Sequence, residues 1–310
     1  MWQCPLCKDP FLDIDSASAK LENKTLQCGN KHSFDRAKQG YFNLLPVQHK
    51  NSKTPGDDEG MVQARRRFFE SAPYMPLVES IAACINTYLR ESHSENAALG
   101  DEESKKSPLK VPRNSRACAG SPIKIYDSGC GEGFYLNALS AILPDNYQFA
   151  GHDISKAAII AAAKKNKDKQ LVVASTINIP LQDNAVDVVY QIFAPSCSDE
   201  YRRILHHHGL LIVVEPASEH LFEIKQKVYD KPEKHKVAEA GIAGFSLLEE
   251  KIITFPVNLD TAEIRLALLQ MTPFYWRASD ESKAQIENEL HSVTASFVLR
   301  VYQNSKGTHA

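Results

Sequence analysis

Asp127-Ser128-Gly129-Cys130-Gly131-Glu132-Gly133 follows a short apolar run, Ile123 to Tyr126, and precedes Tyr135, Leu136, Leu139 and Ile142 at helical spacing. The pattern reads as strand, glycine turn, helix. Glycines at alternate positions allow a tight turn and let backbone come close to a ligand. The helix start that follows presents free N–H groups. This spacing is not the dinucleotide pattern, and an acid stands directly before it. A pyrophosphate requires positive potential, so Asp127 argues against phosphate. It suits a ligand with a cationic amino group, such as the methionine half of S-adenosylmethionine. Gly129, Gly131 and Gly133 are candidate contacts for the same ligand.

A second acid, Asp153, closes the next apolar run, Tyr147 to His152, where a carboxylate reaches ribose hydroxyls. A dinucleotide enzyme shares that feature, so Asp153 alone does not discriminate. Ser175 and Thr176 end a third run, Leu171 to Ala174, and either lie near an adenine or form a plain β–α turn. Val186 to Phe193 and Leu210 to Val214 read as further strands, and Ser155 caps a helix through Lys165. Strands alternating with helices predict an α/β domain over 122–310 with a mainly parallel sheet covered on both faces.

The chain has 310 residues, which suits one full α/β domain and a smaller module. With 43% hydrophobic and 24% charged residues its composition is that of an ordinary globular protein. A formal net charge of −2 excludes a polycation, so any nucleic-acid contact needs a local basic patch. No run of 18 apolar residues is present, and the start lacks a secretory signal, so a cytoplasmic location without membrane contact is expected. Seven cysteines in that setting argue against a disulfide framework. Residues 91–121 are rich in Ser, Lys, Glu, Asn and Pro and read as a flexible linker insertion.

Residues 1–35 carry Cys4-x2-Cys7 and Cys28-x3-His32, two short-spaced pairs that match a closed, tetrahedral, structural zinc site. A segment this small cannot hold itself together by apolar burial, so the metal is expected to supply its fold. Residues 36–90 form a connector. From Lys31 to Arg67 the bases Lys31, Arg36, Lys38, Lys50, Lys53, Arg65, Arg66 and Arg67 interleave with Phe34, Tyr41 and Phe42. Bases of this kind neutralise phosphates and aromatic rings stack on unpaired bases; the same composition also fits a solvated face over ordinary core aromatics. His206-His207-His208 reads as a polar loop without metal.

The chain resembles the RlmA (RrmA) family of bacterial 23S ribosomal RNA guanine-N1 methyltransferases. The resemblance rests on Cys4-Pro5-Leu6-Cys7, on Tyr41 through Lys50, on Pro55-Gly56-Asp57 and Gln63 to Arg66, on the glycine loop, on Ala194-Pro195 and on Leu269 to Phe274. It implies a Rossmann-like class I methyltransferase domain with a mainly parallel seven-stranded sheet behind a zinc module on Cys4, Cys7, Cys28 and His32. It also implies cofactor contacts from Tyr74, Gly131, Glu132 and His220, and a target guanine in a hairpin of the large-subunit RNA, in the helix 35 region. RNA contacts are expected from Lys38, Lys50, Lys53, Arg65 and Arg66, and a homodimer is compatible with the sequence. Asp199 and Glu200 could act as a general base, or they are first-turn helix acids placed by the helix dipole; the second reading is preferred. The alternatives are a small-molecule methyltransferase with a zinc lid, disfavoured by the basic connector, and a non-catalytic adaptor, disfavoured by the intact loop and Asp153.

Overall fold

The computed structural model describes residues 1–12, 24–47, 56–94 and 122–305. His49, Lys50, Lys53 and nearly all of the linker expected over 91–121 lie outside the described residues. A two-stranded antiparallel hairpin comes first, β1 (Thr25–Gln27) and β2 (Ser33–Asp35). A two-residue strand, β3 (Phe42–Asn43), is followed by α1 (Glu59–Phe68), a 3-10 turn at Phe69–Ser71 and α2 (Met75–Ser94).

The expected α/β pattern then unfolds in order. It runs β4 (Ile123–Ser128), α3 (Phe134–Ile142), β5 (Tyr147–Asp153), α4 (Lys156–Lys165), β6 (Gln170–Val173), β7 (Val186–Ile192), α5 (Ser198–Ile204) and β8 (Leu205–Pro216). It closes with α6 (Phe222–Val228), β9 (Phe245–Asn258), α7 (Ala262–Gln270), α8 (Asp280–Glu289) and β10 (Ser292–Asn304). The strand order in the main sheet is β3-β6-β5-β4-β7-β8-β10-β9. All pairs from β3 to β8 are parallel, whereas β10 runs antiparallel to both β8 and β9. The seven expected strands are therefore present, and an eighth, β3, is added at the edge by the connector.

Two boundaries differ from expectation. β8 starts at Leu205, so His206, His207 and His208 lie inside a strand, not in the turn before it. His208 takes a positive φ of 63°, and the register with β7 shifts there, which absorbs the polar residues at the strand's start. Ile142, placed on the apolar face of α3, is 43% exposed because the helix ends at that residue.

The sheet buries a core on each face. On one side α2, α3 and α7 cover it through residues such as Leu77, Ile81, Leu136 and Leu268. On the other, the zinc segment itself contributes: Trp2, Phe11, Leu26 and Phe42 pack with Tyr126, Val172 and Ile204. The Trp2 indole N–H donates to Gln170 Oε1 at 2.6 Å, and its ring meets Tyr126 edge-on at 6.3 Å. The N-terminal module is thus fastened to the sheet by apolar burial as well as held by its own ligands.

Strand order reverses about β4, with β5 on one side and β7 on the other. In open α/β sheets ligands bind at such a switch point, in the crevice outside the carboxyl ends of the strands. The glycine turn after β4 and the turn after β7 meet there.

Candidate cofactor site and metal centre

All three glycines of the turn have positive φ: 81° at Gly129, 54° at Gly131 and 83° at Gly133. At Gly129 and Gly133 the neighbours also leave too little room for a side chain, while Gly131 has ordinary contact distance. A Cβ on Gly129 would lie 2.4 Å from Ala194 Cβ, in the turn after β7. On Gly131 it would meet the Arg65 guanidinium at 3.4 Å, and on Gly133 it would meet Asn166 and Ala162 of the α4 end at 2.9 and 3.1 Å. The turn is therefore a junction where three elements close onto backbone that has no side chain in the way. Gly133 also serves as the N-cap of α3.

Asp127 sits at the bottom of this junction, 3% exposed, and its Oδ2 accepts from the Tyr190 hydroxyl at 2.8 Å. Burial pushes its carboxyl well above the usual range, against the Tyr190 bond, with Asp153 and Glu132 adding like charge. Such an acid is suited to a cation, which would replace the missing solvation. Asp153 is held by two backbone bonds: Gly131 N–H donates to Oδ2 at 2.9 Å and Ser155 N–H to Oδ1 at 2.7 Å. Each oxygen keeps a second lone pair, enough to accept from a pair of ribose hydroxyls. Ser175 Oγ accepts weakly from Ile177 N–H at 3.4 Å in a turn, and Thr176 Oγ1 pairs with His152 Nε2 at 3.2 Å.

Arg65, expected among the RNA contacts, bridges Asp57 at 2.5 Å and lies 3.8 Å from Glu132. Burial opposes its charge, yet Glu132 and Asp57 more than offset this and hold it protonated. The reason is local: three acids, Asp57, Glu132 and Asp153, converge beside Gly131, and their repulsion requires a cation. Asp57 is brought there by Ser155 Oγ, which donates to its carbonyl at 2.6 Å.

Tyr74 and His220 lie together, ring centroids 6.5 Å apart. Tyr74 is 1% exposed and packs edge-on to Phe68, Phe69, Phe255 and Phe297. Its hydroxyl is buried with no hydrogen-bond partner, as are Glu132 Oε2 and the Tyr135 hydroxyl. Buried polar atoms are normally paired, so these orphans fit a polar ligand that would complete them. His220 accepts from Ser296 N–H through Nδ1 at 3.2 Å, which leaves the proton on Nε2. Burial, then His235 and Lys225, lower its pKa to about 3. The acid under the turn, the paired lone pairs of Asp153 and the orphaned hydroxyls together fit S-adenosylmethionine.

Sequence reasoning did not single out Phe193. It follows β7 with φ +55°, its ring lies 5.6 Å from His220 and 5.5 Å from Phe297, and 44% of it is exposed. An aromatic residue in the left-handed region leaves no mark in composition or period, so no sequence signal was available.

Cys4, Cys7, Cys28 and His32 place one ligand atom each, all within 4.8 Å of one another. Cys4 Sγ and Cys28 Sγ lie 3.5 and 3.4 Å from His32 Nδ1, and Cys7 Sγ is 3.6 Å from Cys28 Sγ. A tetrahedron with Zn–S of about 2.3 Å and Zn–N of about 2.0 Å has edges of roughly 3.5–3.8 Å. The donor set and its spacing therefore fit a zinc ion with no open position. Lys31 at φ 62° and Lys8 at φ 66° turn the two ligand loops.

Lys38 is exposed on the connector. Arg66 reaches a groove of about 400 Å³ lined also by Phe69, Phe134 and Lys165, and its Nε is buried without a partner. Arg67 is more exposed and lies 3.4 Å from Glu263. Glu200 accepts from Ile179 N–H at 2.6 Å and from Arg203 at 2.8 Å, while Asp199 is exposed on the first turn of α5. Among the described residues no helix is long and apolar enough to cross a membrane.

Residues 2–53 match the zinc-ribbon family described as RlmA, N-terminal, and residues 126–213 match the methyltransferase domain family. YxjB of Bacillus subtilis (strain 168), assigned as a 23S rRNA (guanine-N(1)-)-methyltransferase, is 32% identical over 292 residues, with 90% of this chain and 88% of that protein covered. A Micromonospora griseorubida protein with the same assignment is 28% identical over 311 residues, covering 97% and 96%. The 23S rRNA (guanine(748)-N(1))-methyltransferase of Streptomyces fradiae is 29% identical over 310 residues, covering 96% and 95%.

Proposed function

Because the chain belongs to the family of 23S rRNA (guanine-N1)-methyltransferases, we propose that it moves a methyl group from S-adenosylmethionine to N1 of a guanine in 23S ribosomal RNA. The target is a guanine in a hairpin of the helix 35 region, and the reaction takes place in the cytoplasm. The observation that carries the reading is Asp127, a buried acid directly before a glycine turn of three positive-φ glycines.

S-adenosylmethionine supplies an already activated methyl group, so alignment and exclusion of water are the main demands on the protein. Asp127 offers its charge to the amino group, and Asp153 its free lone pairs to the ribose. Glu132 and Tyr74 present the orphaned oxygens. Arg65 balances the charge of the acids, so that the site is not left with an excess of anions when the cationic donor leaves. His220 stays neutral at physiological pH and adds no positive charge beside the donor. No general base is assigned, since Glu200 is engaged by Ile179 and Arg203 and Asp199 is exposed. The zinc ion has a structural role, holding the module that packs against the loop after Ser175.

RNA is gripped by the bases of the connector, Lys38, Arg66, Lys50 and Lys53, with Arg67 beside them; of the described ones, Lys38 and Arg67 are exposed and Arg66 is half-buried. Arg65 is excluded from the charge-reversal test because it belongs to the cofactor end. Reversing Lys38 and Arg67, both exposed and outside the groove that Glu132 and Gly133 line, should weaken RNA binding and leave S-adenosylmethionine affinity unchanged, whereas a small-molecule enzyme would keep its full turnover.

The decisive experiment incubates the full-length, zinc-loaded protein with labelled S-adenosylmethionine and unmodified 23S RNA. Methylation at N1 blocks the Watson–Crick edge, so reverse transcription stops at the modified guanine and maps it. No transfer to any guanine would remove the proposal. The mass in solution tells whether the active species is the homodimer.

A further inference from the structure

We propose that Phe193 is the face on which the target guanine stacks when it enters the crevice. The inference rests on the guanine-methylating reading and names the residue that receives the base.

Phe193 lies at the carboxyl end of β7, the strand next to β4, in the crevice where the strand order reverses. Its neighbour Ala194 is the residue that presses on Gly129. The backbone at Phe193 is therefore one residue from the contact with the glycine turn, where the methyl group is delivered. Its ring lies against His220 and Phe297, and 44% is exposed. A large aromatic that is half-supported and half-open at a ligand crevice is a platform for a flat, aromatic partner.

The backbone supports the same reading. A bulky residue at positive φ is a strained conformation that persists only where its surroundings over-determine it. Here they do. Phe193 N–H donates to Val214 O at 3.1 Å. Gln191 Nε2 donates to the Ala194 carbonyl, and Gln191 Oε1 accepts from Ser196 Oγ at 2.6 Å and from the Tyr201 hydroxyl at 3.1 Å. Tyr201 in turn pairs with Ser128 Oγ at 2.9 Å, which ties the turn after β7 to the glycine turn after β4. A buried polar network holds one exposed ring in a costly conformation. Neither core packing nor chain reversal calls for an aromatic at that position, since a glycine or asparagine would take the same φ with less strain. Guanine N1 lies on the pairing edge and is inaccessible in a stacked helix, so a base that leaves the stack needs a surface to replace its lost neighbours. Phe193 is that surface.

The test compares wild type, Phe193→Tyr and Phe193→Leu in the full-length, zinc-loaded protein. Leucine keeps the apolar bulk and meets the same backbone demand but has no ring face. The substrate is the 23S hairpin carrying the mapped guanine, and a second hairpin carries 2-aminopurine at that position. Phe193→Leu should lose about 5- to 150-fold in kcat/KM, the worth of one base–aromatic stack, and Phe193→Tyr should stay within about threefold of wild type. Calorimetric affinity for S-adenosylmethionine should match in all three. The 2-aminopurine emission should be quenched by wild type and Phe193→Tyr and bright with Phe193→Leu. Equal turnover of Phe193→Leu and wild type, equal emission, or a loss of S-adenosylmethionine affinity as large as the loss of turnover would overturn the inference alone. A wild type that methylates no guanine overturns the underlying reading and this inference with it.

Discussion

Single residues in this protein carry opposed demands of stability and binding, and Asp127 is the clearest case. Among the described residues its buried carboxylate accepts from the Tyr190 hydroxyl, and the proposed cation would offset the cost of its burial. Asp127→Asn keeps an oxygen for the Tyr190 hydroxyl and removes the charge. The cofactor-free variant should melt at or above the wild-type temperature, while S-adenosylmethionine affinity falls by about 2–5 kcal/mol, some thirtyfold or more, in calorimetry. His152 carries a demand tied to pH. Burial lowers its pKa to about 3, with the ring stacked on Tyr126 at 5.5 Å. An unfolded imidazole protonates near 6.5, so acid favours the unfolded chain. The stability associated with neutral His152 is complete above pH 6.5 and is lost as pH falls toward 3, by about 1.4 kcal/mol per unit. Between pH 8 and pH 5 the wild type should lose about 2 kcal/mol that His152→Gln does not lose, read from urea midpoints of the two proteins. Asp127, Glu132 and Asp153, whose burial raises their pKa values, act in the opposite sense in both proteins and cancel in the comparison.

At the scale of elements, the turns after β4 and β7 behave as one unit. Gly129 has positive φ and no room for a Cβ, because Ala194 occupies that space. Gly129→Ala should cost about 2–4 kcal/mol, from overpacking of about 1–3 and from left-handed strain of about 1. Removing the opposing methyl group in Gly129→Ala/Ala194→Gly should restore the overpacking part and leave the strain. Chemical denaturation of the two single variants and the double variant measures this, and additive losses would show that the turns do not couple. The glycine pattern was legible in the sequence as a tight strand-to-helix turn. Its contacts were not, since Ala194, Arg65 and Asn166 come from three separate stretches of chain. The caps of α4 and α3 were legible as well: Ser155 Oγ accepts from Ala158 N–H at 3.2 Å, and Gly133 begins α3. The long strands β9 and β10 were not placed, because the charged residues in β9 break its apolar period and it lies at the sheet edge.

In the whole molecule, the zinc module and the methyltransferase domain are joined through the segment beyond Ser175. Lys8 Nζ donates to Asn178 Oδ1, Asn178 Nδ2 donates to Pro5 O at 3.2 Å, and Gln3 N–H donates to Pro180 O at 3.0 Å. Trp2 is 1% exposed beneath this contact, whereas Trp276 is 69% exposed. Removing zinc with a strong chelator should therefore shift tryptophan emission to the red through Trp2 alone, and the shift should vanish in Trp2→Phe. Cys7→Ser should give the shifted spectrum without chelator. S-adenosylmethionine affinity should fall in parallel, because the segment after Ser175 loses its support. An unchanged spectrum on complete metal loss would mean that apolar burial alone keeps the module in place.

Local sequence determined what depends on neighbours in the chain: the strand–turn–helix at Asp127 to Gly133, the alternation of strands and helices, and the two ligand pairs of the metal site. These are set by side-chain period, by φ preferences and by short-range ligand spacing. Tertiary structure alone decided that Arg65 pairs with Asp57 and Glu132, that β3 extends the sheet to eight strands, and that Phe193 stands half-open against His220 and Phe297. Each of these follows from charges or surfaces brought together across long stretches of chain, where long-range Coulomb attraction and burial outweigh any local preference.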